Sequence, residues 1–147
     1  LGGNYQVFHY SQILARALEK AAFRDDLPPL RVTYHDSCYL GRYNNIYKQP
    51  RELLKNADVN LVEMARSGEN SFCCGGGGGQ MWLEVDANTR INHRRLADSV
   101  DAKADVVATA CPYCLLMFDD AIRSKGMGEQ IQVMDIAEVL ETQLNEG

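Results

Sequence analysis

The spacing of five cysteines constrains this chain more than any other feature. Cys38, the adjacent pair Cys73 and Cys74, and the pair Cys111 and Cys114 form a C-x34-CC-x36-C-x2-C pattern, with five glycines at positions 75–79 directly after the double cysteine. A fold that uses them together must bring three distant segments to one place. Thiolates are soft donors that suit iron–sulfur clusters, zinc and copper(I). Five converging sulfurs exceed the four that a tetrahedral zinc site takes, so the set points to an iron–sulfur centre and to electron transfer. Neighbouring cysteines make a poor structural staple, because their disulfide closes a strained ring. An odd cysteine count with a CC pair and a CxxC fits a reducing, cytoplasmic setting better than a secreted disulfide framework.

The 147 residues are enough for one domain with a sizeable core. The formal charge of −5, with Lys and Arg scattered rather than clustered, argues against non-specific nucleic-acid binding. No apolar stretch approaches the roughly 18 residues of a membrane span. The first residues, Leu-Gly-Gly-Asn, have neither a basic nor an apolar signal-peptide region and no initiator Met, which suggests a piece of a longer polypeptide.

Hydrophobic periodicity predicts a helix over 8–24, with Ile13, Ala17, Leu18 and Ala21 on one face and Ser11 as its N-cap. A strand follows at 31–35, a short helix at 50–56 with Pro50 in its first turn, and a second strand at 59–64. From Gln80 to about Ala102 the pattern reads as one helix, with Trp82, Val85, Ile91 and Leu96 as its buried face. Residues 105–109 read as a strand and Pro112 as a helix start, with Leu115, Leu116, Phe118, Ala121 and Ile122 continuing that helix to Gly126 and Gly128. A fourth strand is expected at 131–134 and a last helix at 136–144, capped by Asp135. Strands alternating with helices indicate an α/β domain, a Rossmann-like three-layer arrangement of about four mostly parallel strands flanked by helices. Residues 1–30 are then an N-terminal helix and connector, and 31–147 the domain proper. All three cysteine segments leave the carboxyl ends of strands, the edge where open α/β sheets build their sites.

The metal ligand is the thiolate, so several cysteines in one site need positive partial charge around them. Two helix N-termini are expected to supply it, one after Cys111 and one near Gln80. The glycine run permits close backbone approach and a concave nest of N–H groups, as found at many iron–sulfur sites. Gly75, Gly76 and Gly77 are therefore candidate cofactor contacts. The run is not a phosphate loop, since no Lys-Ser or Lys-Thr follows it.

His35-Asp36-Ser37-Cys38-Tyr39-Leu40-Gly41-Arg42, Cys73-Cys74-Gly75 and Ala110-Cys111-Pro112-Tyr113-Cys114 together resemble the cysteine-rich CCG domain of heterodisulfide reductase B subunits and of glycolate and lactate oxidation systems. The likeness covers about residues 31–135. It implies that all five cysteines ligate a [4Fe–4S] cluster, non-cubane in heterodisulfide reductase, with zinc or an ordinary cubane in some relatives. It also implies a parent chain carrying ferredoxin-like clusters. The wording from His35 to Arg51, with Gln80, Met81 and Trp82, looks closest to members that exchange electrons with flavoproteins and quinones. A cytoplasmic location follows, peripheral on the membrane through a parent complex.

Other residues carry weaker signals. His35 and Asp36 are placed to give a proton or hydrogen bond at the cluster edge, or equally to serve as a strand-end His and a turn cap. Arg42 would offset cluster charge or bind an anionic group, with a surface ion pair the plainer reading. Tyr39, Tyr43 and Tyr113 would pack over the site or fill the core. His9 and His93 are expected at the surface, and Asp119-Asp120 on a solvated helix face. Two alternatives to the iron–sulfur reading stand: a structural zinc module that docks subunits, and a thiol oxidoreductase using Cys111 and Cys114.

Overall fold

A computed structural model of the chain describes residues 2–24, 26–86 and 89–144. Four strands, β1 (Arg31–His35), β2 (Asn60–Leu61), β3 (Val106–Thr109) and β4 (Gln132–Asp135), form one sheet in the order β2-β1-β3-β4. Every pairing is parallel, with His35 opposite Thr109 and Thr109 opposite Asp135. The Rossmann-like α/β expectation therefore holds.

Successive strand residues point to opposite faces, and two apolar layers result. Val32, Tyr34, Val106 and Ala108 pack with residues of α2 (Lys48–Asn56) and α5 (Ile136–Gln143), joined by Tyr10, Leu14 and Ala15 of α1 (Tyr10–Ala17). On the other face Val107 meets Leu96 of α3 (Ile91–Asp101) and Phe118, Ala121 and Ile122 of α4 (Pro112–Ser124). β1 thus presents Thr33 and His35 to the α3/α4 side.

Several sequence expectations need correction. α1 is half the predicted length, and its N-cap is His9, whose Nδ1 accepts from the Ser11 amide, not Ser11 itself. Ile13 is exposed, because the face turned inward is Tyr10, Leu14 and Leu18. β2 keeps two residues of the expected 59–64.

The helix expected over 80–102 begins only at Ile91. Gly78 and Gly79 adopt φ of +63° and +73° within a short 3-10 segment, Gly77–Trp82, and Leu83 is extended, so helical propagation fails there. Residues 87 and 88 of that expected helix lie outside the described residues. Trp82 and Val85 are exposed rather than buried, and of the four face residues only Leu96 is in the core. The last helix is as expected: the Asp135 carboxylate accepts from Ala137 N, and Glu138 accepts from Asp135 N, a reciprocal cap. Among the described residues no helix is long and apolar enough to cross a membrane.

Candidate metal centre

The site forms where β1 and β3 end. The chain leaves β1 through Asp36 and Ser37 into a tight turn, closed by Gly41 N donating to Ser37 O at 2.9 Å, which holds Cys38 at the sheet edge. β3 runs straight into Cys111, which stands at the start of α4 with Pro112 as the first helical residue. The loop after β2 brings Cys73 and Cys74. Cys38, Cys73, Cys74, Cys111 and Cys114 all line one cavity of about 280 Å³, together with Gly76, Gly77, Tyr39, Trp82 and Tyr113. The three segments converge, and all five thiols are free.

Charge at the sulfurs is shaped by the groups around them. Gly75 N donates to Cys73 Sγ at 3.2 Å. Cys111 is brought down to about 6 by the Cys114 thiol and, against its own burial, by the backbone N–H groups of Cys114 and Tyr113. Those N–H groups are the free first-turn donors of α4, so one of the two expected helix N-termini is in place. The one expected near Gln80 is not, since that segment is a six-residue 3-10 turn interrupted by two left-handed glycines. Cys74 is pushed far down by hydrogen bonds from Cys114 and Cys73, while Cys114 is pushed far up by the same sharing with Cys111 and Cys74. Cys73 is pushed far up as well, by sharing with Cys74 and by burial. The group keeps protons on Cys114 and Cys73 and favours thiolate on Cys74 and Cys111.

Gly75 and Gly76 are buried against the site. Gly75 has φ of +87°, and a Cβ there would stand 2.9 Å from Ile91 Cβ. A Cβ on Gly76 would lie 3.1 Å from Met117 Cγ and 3.6 Å from Cys74 Sγ. The backbone approaches the sulfurs this closely because no side chain intervenes. Gly77, by contrast, is exposed and only lines the cavity rim; a Cβ added there would meet nothing within 4 Å.

His35 is fully buried beneath the cysteines. Its nitrogen and the Sγ atoms of Cys74 and Cys114 lie within 4.8 Å of one another, and its Nε2 makes no hydrogen bond. Burial holds its pKa below the ordinary value. Asp36 takes the anchoring role: its carboxylate receives Arg51 at 2.6 and 2.9 Å and the Gly68 amide at 2.7 Å. Arg42 makes no ion pair among the described residues but donates to Ser71 O at 3.0 Å, bracing the double-cysteine loop. Tyr39 and Tyr113 line the opening and are exposed rather than in the core, and exposed Tyr43 stacks on Tyr39 at 5.0 Å without lining the cavity.

Sequence reasoning missed the arginine frame. Arg95 is fully buried and donates to Asp98 and Arg66 O, each at 2.8 Å, and to Ser71 Oγ at 3.3 Å. Arg66 grips Asp98 from the other side at 2.8 and 3.0 Å and lies over the Phe72 ring. The signal available was faint: an Arg and an Asp three residues apart on α3. His93, expected at the surface, is instead buried, with Nε2 against Ser124 Oγ at 2.8 Å. Asp120 is not simply solvated either, since Arg90 and the Asn92 amide both donate to it.

The donor set suits an iron–sulfur group on three counts: five soft sulfurs in one cavity, backbone N–H groups aimed at them, and a buried histidine nitrogen left unpaired beside them. The fold and site together define a parallel α/β domain with five cysteines gathered at the carboxyl edge of its sheet. The chain belongs to the cysteine-rich domain family termed CCG, which matches residues 32–119. It is 40% identical over 148 residues to the EtfAB:quinone oxidoreductase of Syntrophomonas wolfei, covering 95% of this chain and 21% of that protein. It is 42% identical over 137 residues to the probable iron-sulfur-binding oxidoreductase FadF of Bacillus subtilis, covering 92% and 19%. To a subunit of the dihydromethanophenazine:CoB--CoM heterodisulfide reductase of Methanosarcina barkeri it is 33% identical over 138 residues, covering 92% and 33%. The chain thus spans a fifth to a third of the length of these relatives.

Proposed function

We propose that Cys38, Cys73, Cys74, Cys111 and Cys114 hold a [4Fe–4S] cluster and that the domain relays electrons between it and a partner centre, a quinone or a disulfide-type substrate. The observation that carries this reading is the meeting of five free thiols in one cavity. A single zinc tetrahedron leaves one of them without a task. The cluster, when bound, supplies reversible one-electron chemistry.

The chain's own residues do the remainder. Gly75 N and the first N–H groups of α4 stabilise negative charge on sulfur. Phe118 and Leu96 close the site from below and exclude water. Exposed Tyr39, Trp82 and Tyr113 rim the opening, where a partner's redox group would approach. Relatives named as quinone and heterodisulfide oxidoreductases support a flavoprotein- or quinone-linked partner, and the remainder of a longer parent chain with ferredoxin-like clusters. Five reduced thiols suit a cytoplasmic setting, peripheral to the membrane through that assembly.

One observation favours a second reading. Cys111 near 6 beside a proton-holding Cys114 is the pairing a thiol oxidoreductase needs. It leaves Cys38, Cys73 and Cys74 unused. Anaerobic purification followed by iron, zinc and acid-labile sulfide analysis separates the cases. About four irons with sulfide are expected; one zinc without sulfide, or a metal-free dithiol that turns over disulfides, refutes the proposal. Cys74→Ser should lose iron while keeping the far-UV circular dichroism of the parent, and unchanged iron content would remove Cys74 from the ligand set.

A further inference from the structure

Building on the cysteine-held cluster, we infer that His35 is a hydrogen-bond donor to the sulfurs and not a sixth ligand, and that Arg95 is the positioning residue that makes it so. By proximity alone His35 resembles a ligand, since its nitrogen and the sulfurs of Cys74 and Cys114 lie within 4.8 Å of one another, all three buried. A ligating imidazole nitrogen must offer a lone pair, which requires the ring proton on the other nitrogen. The geometry puts it on the wrong one for ligation.

Arg95 Nε donates to His35 Nδ1 at 3.1 Å. A guanidinium has donors only and does not deprotonate. Nδ1 must therefore carry the lone pair, and the single proton of the neutral ring sits on Nε2. That is the atom left without a hydrogen-bond partner in the protein. Arg95 has no freedom to reverse the arrangement. Its side chain is fully buried, its terminal nitrogens are held by Asp98, Arg66 O and Ser71 Oγ, and Asp98 is itself clamped by Arg66. The ring cannot flip easily, because Phe118 packs edge-on at 5.1 Å. Nε2–H is thus the donor left for the sulfurs of Cys74 and Cys114, which lie within 4.8 Å of the ring, and a frame reaching from α3 across to β1 fixes the tautomer. A hydrogen bond to sulfur favours the more negative, reduced state and raises the reduction potential.

Two experiments test this. In the metal-free, reduced chain, long-range proton–nitrogen correlation spectra read the tautomer of each histidine, with His35 assigned by its loss in His35→Gln. The expected result is a protonated Nε2 and an unprotonated Nδ1. Protonation at Nδ1, alone or with Nε2, overturns the inference without needing any cluster. Arg95→Met, verified as folded by circular dichroism, should release the ring to a mixture of tautomers, and Arg95→Lys should restore it at most in part. In the anaerobically loaded chain, His35→Leu should keep the parent iron and sulfide content but show a lower potential, while His35→Gln, which retains an N–H donor, stays close to the parent. Iron loss in His35→Leu, or strong hyperfine coupling to a directly bound nitrogen in the parent, makes His35 a ligand and refutes the inference. A parent chain that takes up no iron refutes the cluster reading and the donor role with it, while the tautomer in the metal-free chain still decides whether Arg95 sets the ring.

Discussion

Replacing Gly75 with alanine tests whether the glycine run is a built part of the site or a flexible linker. Gly75 sits at φ +87°, and an added Cβ would meet Ile91 Cβ at 2.9 Å and Cγ2 at 3.2 Å. Holding an L-residue in such a conformation costs of order 1–3 kcal/mol. Overpacking against the start of α3 adds roughly 1–3 kcal/mol. The reduced entropy of the unfolded chain returns only about 0.4–1 kcal/mol. The net loss is then roughly 1–5.5 kcal/mol, at its upper end a large part of the ~5–15 kcal/mol that holds a typical domain. The assay is urea unfolding of the metal-free, reduced chain by circular dichroism. With a slope of about 2 kcal/mol/M, the midpoint should fall by roughly 0.5–3 M. Two neighbours calibrate the result. Gly78 has φ +63° with open space around it, so Gly78→Ala should cost about 1 kcal/mol. Gly77 lacks both the positive φ and the close neighbour, so Gly77→Ala should lie within about 0.5 kcal/mol of the parent. Gly75→Ala as stable as the parent, or Gly77→Ala as damaging as Gly75→Ala, refutes the reasoning.

Asp98 gives a pH signature. Burial alone would raise its carboxyl, but Arg66 and Arg95 hold it below the ordinary value of 3.8. A depressed folded-state pKa contributes stability that is present above the unfolded value and is lost as pH falls through the folded one. Asp98→Asn should therefore flatten the acid limb of the stability–pH curve, and an unchanged acid limb in urea unfolding would argue against the clamp. Cys111 offers a second titration. In the metal-free, reduced chain its thiolate should persist down to about pH 6, so iodoacetamide should modify this partly exposed sulfur ahead of the buried Cys74 at neutral pH, with the rate falling through that value. A midpoint near the ~8.5 of an ordinary thiol would contradict the role given to the first turn of α4.

The elements around the ligands were legible because their signals are local. RVTYH is β-rich and appears as β1 at the expected bounds. Cys-Pro at 111–112 marks the start of α4, and the Asp135–Glu138 spacing marks the cap of α5. The stretch after the glycines misled because Trp82 and Val85 mimic the face of a helix while the left-handed Gly78 and Gly79 prevent one from forming. The arginine frame was illegible for a different reason. Arg95 meets His35 across 60 positions and Arg66 O across 29. On a helix its charge reads as a solvated face, and only the fold supplies the partners that allow it to be buried.

The illegible part of the site also settles how its electrostatics work. Arg51 is shared between Asp36 and Glu63, and Asp98 is shared between Arg66 and Arg95. Three guanidinium groups thus face three carboxylates, and their charges cancel close to the double-cysteine loop. Arg95 can fix Ser71 and His35 in place, and Asp36, held by Arg51, fixes Gly68, but these arginines add little net positive charge at the sulfurs. What remains to stabilise thiolate or sulfide is a set of dipoles: the Gly75 amide, the first N–H groups of α4 and the His35 Nε2–H, with Arg42 at the exposed edge. Fixed dipoles in a water-poor site act strongly and need no reorganisation when charge arrives. With the proposed cluster bound, a centre so arranged would take up an electron without a salt bridge having to break, which is the property the proposed electron relay requires.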